Sequence, residues 1–263
     1  MKICFLMERG DPPRLNSIFA EVFERLERHG VEPLVRFPEN EIIRLDRLTV
    51  EADLYCLKSD TELALSLSTA LERMGARIIN SLAATLLAKD KVSAAWVLAR
   101  AAIPTPRSIV ARRPSDLKAE LNAGPLILKA HRGYHGAGIN VVNHPADLPD
   151  DSEYPEYVFA QNYLAGARND LKIYGIGADV FGVRKQFSSN SFLSSGESVW
   201  LSEEVIDISR RCGAAFGLDL YGLDLAEDDH GTYVVDVNYF PGYRGVRNAA
   251  ELLTDYLLRA LKN

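Results

Sequence analysis

The sequence is poor in cysteine and lacks both a long apolar run and an excess of positive charge. Its three cysteines, Cys4, Cys56 and Cys212, are scattered and form no C-x-x-C pair, so neither a disulfide framework nor a structural zinc site is predicted. No uncharged apolar stretch approaches the roughly 20 residues of a membrane-spanning helix, and the N-terminal apolar run is too short for a signal peptide. We therefore expect a cytoplasmic protein that does not associate with a membrane.

The charge balance excludes one large class of partner. The chain has 30 Lys and Arg against 36 Asp and Glu, a net charge of -6, whereas a general binder of nucleic acid needs a large positive field. Any anionic ligand must therefore meet a local basic pocket. Hydrophobic residues make up 47% and charged residues 25%, which is typical of a globular protein, and the oligomeric state stays open.

The first 80 residues alternate between short apolar runs and helical patterns. Strands are predicted at 2–7, 52–57 and 76–79, and helices at 18–29 and 61–74. Such alternation is typical of a parallel α/β layer.

The rest of the chain reads as one helix followed by hairpins. A helix is predicted from 80 to 102, and the Pro104 and Pro106 pair after it indicates a boundary. The remaining predicted elements are strands at 108–111, 125–130, 139–142, 157–163, 170–176, 178–184, 218–226 and 232–237, and helices beginning at Pro114, at 202–216 and at 248–261. A glycine-bearing loop joins 125–130 to 139–142, which indicates a hairpin, and the polar stretch 186–197 reads as a loop.

Two strands near the C-terminus carry the strongest chemical signal. Asp236 and Asn238 alternate on one strand and therefore share a face, and an antiparallel neighbour can place Asp224 opposite them. Two carboxylates and one amide oxygen suit Mg²⁺ held jointly with substrate phosphates. The alternative is an edge strand with solvated polar residues. We favour the metal site because the segment 240–242 ends the strand beside these ligands.

A lysine in an otherwise apolar strand is the second signal. Lys129 precedes the glycine-bearing loop, and a lysine in such a strand is expected to need an anionic partner. The alternative is an edge lysine whose amino group reaches solvent. Gly133, Gly136 and Gly138 in the loop would let backbone N–H groups approach phosphate oxygens. Lys91, in the preceding helix, is a third candidate.

These features, in this order and spacing, resemble the ATP-grasp superfamily. The residues that carry the resemblance are Asn80, Lys89 to Lys91, Leu98, Ala102 to Pro106, Leu126 to Lys129 with its hairpin, Gln161 to Leu164, Asp170 to Tyr174, Asp224, and Asp236 to Asn238. The resemblance covers most of the chain. It implies an α/β (α+β) ATP-grasp fold, in which an N-terminal parallel α/β domain (1–80) precedes a central lid (81–165) and a C-terminal subdomain with the metal site (166–263).

The resemblance also implies that ATP and Mg²⁺ lie between two antiparallel sheets. The residues implied to bind ATP are Lys91, Lys129, Gly133, Gly136, Gly138, Gln161, Asn162, Tyr163 and Leu164. The lysines and the glycines would contact the phosphates. The segment 161–164 would receive adenine, with backbone groups of Asn162 and Leu164 at its edge. Asp224, Asp236 and Asn238 would hold Mg²⁺.

Two reactions are open within the superfamily. Carboxylate–amine ligases, including the ribosomal-protein glutamate ligase type, phosphorylate a carboxylate that an amine then attacks, and they usually have Glu at the position of Asp236. The segments 57–60, 171–185 and 236–246 instead resemble the inositol trisphosphate 5/6-kinase family. We therefore predict an inositol (poly)phosphate kinase, and the alternative is a RimK-like ligase that acts through an acyl phosphate.

A small anionic acceptor needs cations directed into one cleft. Lys172 and Arg184 are the candidate catalytic residues, which would hold the transferred phosphoryl group or the acceptor. The candidate acceptor-binding residues are Lys58, His135, Lys185, Gly242 and Arg244. The alternative for these residues is ordinary solvated surface. A third functional class is a nucleotide-binding protein that has lost catalysis.

Overall fold

The structure is a computed structural model that describes residues 1–8, 17–130, 139–185 and 196–262. The helices are α1 (Ser17–Arg28), α2 (Glu62–Arg73), α3 (Leu82–Lys89), α4 (Lys91–Arg100), α5 (Glu203–Phe216) and α6 (Ala249–Lys262). The strands are β1 (Lys2–Leu6), β2 (Glu32–Arg36), β3 (Leu54–Leu57), β4 (Ile78–Ile79), β5 (Ser108–Ala111), β6 (Leu126–Ala130), β7 (Ile139–Val142), β8 (Val158–Asn162), β9 (Arg168–Ile176), β10 (Asp179–Arg184), β11 (Glu197–Val199), β12 (Leu220–Asp228) and β13 (Gly231–Tyr239).

The N-terminal sheet is parallel, with strand order β2-β1-β3-β4, which confirms the predicted α/β layer. Strand β3 and residues 3–6 of β1 are buried because helices cover both of their faces, whereas Lys2 at the start of β1 is exposed. Ile3 and Phe5 pack towards α1 and α6, whereas Cys4 and Leu6 pack towards α2. Strand β2 was not predicted, since it contains Pro33 and its side chains are half-buried or exposed.

The helix predicted over 80–102 is two helices, α3 and α4. Ser81 caps α3 by accepting a hydrogen bond from the backbone of Ala84. Asp90 is extended, and its side chain accepts a hydrogen bond of 2.7 Å from the backbone N–H of Ser93, so a new helix begins at Lys91. An Asp that bonds to the backbone three residues on is a strong helix start. The break places Lys91 in the first turn of α4.

The second sheet is antiparallel, with strand order β5-β8-β6-β7. It has a small core of its own, which includes Leu117, Leu126, Leu128 and Val158. The helix predicted to open at Pro114 is instead two short 3₁₀ turns, Pro114–Leu117 and Glu120–Ala123.

The third sheet is antiparallel as well, with strand order β11-β10-β9-β12-β13. Helix α5 covers one face; Ser202 caps its first turn, and Gly217 ends it in the left-handed conformation at φ +67°, a conformation that costs glycine little. The edge strand β11 lies at the end of the polar stretch predicted as a loop and pairs with β10.

The hydrophobic cores bring together elements that are far apart in the sequence. Helices α3 and α4 pack with α5 against the third sheet, through residues such as Ala88, Leu98 and Ile173. Helix α6 packs on the N-terminal sheet, where Leu253 and Leu257 join the cluster that contains Ile3 and Phe5. Within the described residues, no helix is long and apolar enough to cross a membrane.

Candidate active site

Three charged residues form a row across the third sheet. Lys172 on β9 pairs in register with Asp224 on β12, which pairs in register with Asp236 on β13. The Nζ atom of Lys172 lies 2.5 Å from Oδ1 of Asp224. Asn238 lies two residues beyond Asp236, opposite Gly222. Neighbouring side chains on one face of a sheet are within contact range, so the row brings two carboxylates and a lysine together.

The carboxylate of Asp224 disfavours the charge of its neighbour in this row, Asp236. Solvent reaches Asp236, yet the protein around it reduces its hydration, and this effect and the charge of Asp224 raise its pKa. Lys129, Lys91 and Lys172 oppose the rise. A divalent cation would relieve the repulsion.

The donor set fits Mg²⁺ better than it fits a softer metal. In the described ranges, no group of three His, Cys, Asp or Glu side chains converges on one point. The third oxygen beside Asp224 and Asp236 would therefore be the amide of Asn238. Mg²⁺ takes one or two carboxylates together with substrate phosphates, so this small set is adequate when a nucleotide supplies the remaining ligands.

Lys129 connects the second sheet to the third. Its Nζ donates to Gln161 Oε1 at 2.6 Å and to the carbonyl oxygen of Val235 at 3.3 Å. The Gln161 amide donates onward to Ser108 Oγ at 3.0 Å, and Gln161 is only 4% exposed. Burial lowers the pKa of Lys129, and the charge of Asp236 opposes this effect. A half-buried, oriented ammonium is suited to bind phosphate.

A pocket lies where these two sheets meet α4. Its polar lining consists of Lys91, Lys129, Gln161 and Asp236, and its apolar lining includes Leu98 and Phe159. An apolar surface beside two lysines suits a ligand that has both an aromatic ring and phosphates.

The segment implied to bind adenine is held in place by the strands around it. The backbone N–H of Asn162 donates to Arg107 and that of Tyr163 donates to Pro125, each at 2.9 Å. These two N–H groups therefore already have hydrogen-bond acceptors within the protein. A backbone contact from Asn162 to adenine would have to come from its carbonyl group. The carbonyl of Leu164 accepts from the N–H of Ala167 at 3.2 Å and keeps a second lone pair.

Arg184 is held by two carboxylates. Its Nη1 lies 2.6 Å from Asp170 Oδ1, and its Nη2 lies 3.1 Å from Glu227 Oε2. To hold a phosphoryl group, as predicted, the guanidinium would have to leave these partners. Lys185, the next residue, is 5% exposed, and burial, with the charges of Lys172 and Arg244, lowers its pKa.

Lys58 and Arg244 lie within electrostatic range of each other at the edge of the N-terminal sheet. Gly242 lies two residues before Arg244 in the loop that follows β13. The remaining predicted site residues, Gly133, Gly136, Gly138 and His135, and most of the stretch 186–197, lie outside the described residues. Sequence reasoning missed the links from Gln161 to Ser108 and from Lys129 to Val235. The only sequence signal for the link between Gln161 and Ser108 is that both are polar residues on predicted strands.

The family model for the RimK-like ATP-grasp domain matches residues 88–257. The chain belongs to the RimK-like ATP-grasp family. It is therefore an ATP-dependent enzyme with the ATP-grasp fold, as the sequence predicted. A probable alpha-L-glutamate ligase of Haemophilus influenzae (strain ATCC 51907 / DSM 11121 / KW20 / Rd) is 27% identical over 219 residues, which are 76% of this chain and 72% of the relative. The chain spans 65% of the length of several other glutamate ligases that it matches.

Solved ATP-grasp structures have the same fold over nearly the whole chain. A RimK domain ATP-grasp protein from Sphaerobacter thermophilus DSM 20745 gives a TM-score of 0.76 at 16% identity, covering 98% of this chain and 100% of that one. The ATP-grasp ligase PsnB, complexed with minimal precursor, Mg and ADP, gives 0.72 at 21% identity, covering 100% and 98%. These comparisons do not support the predicted inositol phosphate kinase and favour the ligase alternative.

Proposed function

We propose that this RimK-like protein is a carboxylate–amine ligase that uses ATP and Mg²⁺ to activate a carboxylate as an acyl phosphate. The row of Lys172, Asp224 and Asp236 beside the Lys129 pocket is the observation that carries the proposal. It would provide oxygen ligands for one divalent cation, and it lies beside the pocket whose lysines, Lys91 and Lys129, would bind the phosphates. The names of the relatives support the ligase class and L-glutamate as the amine.

The reaction needs no nucleophilic side chain from the protein. An oxygen of the substrate carboxylate attacks the γ-phosphorus in line, and the bond to the β-phosphate oxygen breaks to release ADP. The amine then attacks the acyl carbon, loses a proton to solvent, and phosphate leaves. In both steps, the protein positions the reactants and stabilises charge.

The predicted residues of the metal site and of the pocket have distinct tasks in this reaction. Bound Mg²⁺ neutralises phosphate charge, and Asp224, Asp236 and Asn238 would hold it. Lys129, fixed by Gln161, would bind the phosphates nearer the base, and Lys91 in the first turn of α4 would join it. Lys172 would exchange Asp224 for the transferred phosphoryl group.

The deciding experiment follows ADP and inorganic phosphate separately with L-glutamate and a panel of carboxylate-bearing peptides. A ligase releases both products in step, and hydroxylamine in place of the amine gives a hydroxamate from the acyl phosphate. A kinase releases ADP while the phosphate stays on the acceptor, and a protein without catalysis releases neither.

A pair of variants connects this activity to the site. Asp236→Asn removes a proposed metal ligand, and we expect a loss of turnover of about a hundredfold or more. Asp229→Asn changes the same residue type in the exposed turn after β12 and should leave turnover unchanged. Full activity of the Asp236→Asn protein would remove Asp236 from the proposed metal site.

A further inference from the structure

A chain of hydrogen bonds runs across the second sheet to the pocket. Ser108 on β5 and Gln161 on β8 pair in register, and the Gln161 Nε2 group donates to Ser108 Oγ at 3.0 Å. The hydroxyl of Ser108 donates to the carbonyl oxygen of Pro106 at 3.1 Å. At the other end of the chain, Gln161 Oε1 accepts from the ammonium group of Lys129 at 2.6 Å. The chain therefore joins the segment that enters the second sheet to a lysine of the pocket.

Ser108 determines which way the Gln161 amide faces. A serine hydroxyl has one hydrogen, and because Pro106 accepts it, Ser108 can only accept from Gln161. The NH₂ group is the donor of the amide, so it must face Ser108. The reversed amide would place this NH₂ group against the ammonium of Lys129, and two donors would meet. Both neighbours thus require the carbonyl oxygen of Gln161 to face Lys129.

The oriented carbonyl oxygen belongs to a residue of the pocket. Gln161 lines the pocket together with Lys129, Phe159 and Leu98. Its side chain shares a face of β8 with that of Phe159, two residues earlier, and both residues are buried. A carbonyl oxygen has two lone pairs, and Lys129 uses one of them. The other can accept from a ligand that lies beside the apolar surfaces of Phe159 and Leu98.

An acceptor at this place distinguishes between purine bases. The 6-amino group of adenine is a donor and would bond to Gln161 Oε1. The 6-oxo group of hypoxanthine or guanine is an acceptor and would face another acceptor. A buried polar group that is left without a partner costs free energy, and a site built around one hydrogen bond rejects a ligand that cannot make it. A preference for adenine therefore depends on the orientation of this amide.

We propose that Ser108 sets the preference for adenine over 6-oxopurine nucleotides by fixing the Gln161 amide. Ser108 acts through Gln161 and is a positioning residue. In the complex, phosphate oxygens would compete with Gln161 for the ammonium of Lys129, and Ser108 would be the partner that keeps the amide in place. This inference rests on the proposed binding of the nucleotide in the pocket beside Lys129.

Two matched nucleotides test the proposal without requiring turnover. ADP and inosine diphosphate share the ribose and both phosphates, and they differ in the 6-substituent and in the proton on N1. Their dissociation constants are measured by calorimetry with the full chain and Mg²⁺. We expect ADP to bind about tenfold more tightly or better. Ser108→Ala should reduce this preference to less than about threefold, whereas Ser108→Thr, which keeps a hydroxyl, should retain it.

A second background separates orientation of the amide from a general effect on the site. Gln161→Glu has an oxygen at both ends of its carboxylate, so it presents an acceptor whichever way it faces. The preference for ADP should therefore survive in Gln161→Glu, and adding Ser108→Ala in that background should leave it unchanged. A merely structural role of Ser108 would reduce the preference equally in both backgrounds.

Controls address the fold of the variants. Ser152→Ala, at an exposed serine between β7 and β8, should keep the full preference for ADP. The thermal unfolding midpoint of Ser108→Ala shows whether this variant is folded. If it does not fold, Ser108→Val is compared with Ser108→Thr, which has the same shape and differs in the hydroxyl, and the same loss of preference is expected.

Three results would overturn the proposal. They are equal binding of ADP and inosine diphosphate by the wild-type protein, an undiminished preference in the folded Ser108→Ala or Ser108→Val variant, and an equal effect of Ser108→Ala in the wild-type and Gln161→Glu backgrounds. Uncoupled release of ADP and phosphate would instead refute the ligase function, and it can be distinguished because the binding experiments involve no turnover.

Discussion

Lys172 and Asp224 lie opposite each other on β9 and β12, with Nζ 2.5 Å from Oδ1. The same carboxylate is a proposed ligand of Mg²⁺, so the lysine and the metal compete for it. Both side chains are about one-third exposed, and an ion pair at this exposure contributes up to about 1 kcal/mol.

Removing the lysine should therefore tighten metal binding while it harms catalysis. We expect Lys172→Met to lower the Kd for Mg²⁺ in the presence of ADP by up to about fivefold, since about 1 kcal/mol of competition is lost, and to reduce kcat. Asp224→Asn should weaken Mg²⁺ binding. A titration of Mg²⁺ against the fluorescence of a labelled nucleotide measures both effects, and unchanged affinity in both variants would contradict the shared use of Asp224.

Loss of Lys129 should weaken nucleotide binding selectively. Its ammonium is oriented by Gln161 and faces the pocket, and a hydrogen bond to a charged group contributes about 1.5–3 kcal/mol. We expect Lys129→Met to raise the Kd for ATP by about ten- to hundredfold, measured by calorimetry, and Gln161→Met to have a smaller effect. Lys118→Met is the matched control. Equal losses in all three variants would indicate a general effect on folding.

Substitution of Gly175 should destabilise the fold. A Cβ on Gly175 would lie 2.2 Å from the ring of Tyr221, which also packs closely against Gly213. The Tyr221 hydroxyl donates to the carbonyl of Ser209 at 2.9 Å. Because the ring cannot move away, we expect Gly175→Ala to lower the free energy of unfolding by about 1–3 kcal/mol or more. Chemical denaturation measures the loss.

A double-mutant cycle checks the cause of that loss. Tyr221→Leu removes the ring, so Gly175→Ala should cost less in the Tyr221→Leu background than in the wild type. An identical cost in both backgrounds would show that the ring is not responsible.

The free energy of unfolding should depend on pH through Lys58, whose ammonium donates to the carbonyl of Phe240. Below pH 8, Lys58 is protonated in both the folded and the unfolded chain, and the cost of its buried charge is fully present. Between about pH 8 and the ordinary lysine value of 10.5, the folded protein binds fewer protons than the unfolded chain. The contribution of Lys58 to stability therefore rises with pH in this window, and the unfolding midpoint of wild type relative to Lys58→Met measures it.

The order of the main elements could be predicted from the sequence because their signals are local. The cap at Ser202 and the stop at Gly217 set the bounds of α5, and the alternation around Asp236 predicted a strand. The break at Asp90 was missed because an apolar helical pattern continues on both sides, although Asp followed by Ser93 is itself a capping signal. Strands β2 and β11 lie at the edges of their sheets. They are strands because they pair with a neighbouring strand, and their own residues carry no clear strand pattern.

The connections between sheets could not be predicted in this way. The contact of Lys129 with Val235 depends on how the second sheet lies over the third, and no spacing in the sequence encodes that placement. The same is true of the ion pairs of Arg184 with Asp170 and Glu227, which require three strands in one register. Sequence reasoning identified Arg184 as a cation near the site, but could not show that carboxylates already hold it.

The position of α6 affects how the chain reaches its native state. This helix packs against α1 and on one face of β1, and most of the described chain separates it from them in sequence. The apolar surface of Ile3, Phe5 and Leu26 is fully shielded from water only when Leu253 and Leu257 pack against it. The core of the N-terminal sheet is therefore complete only after α6 has been synthesised.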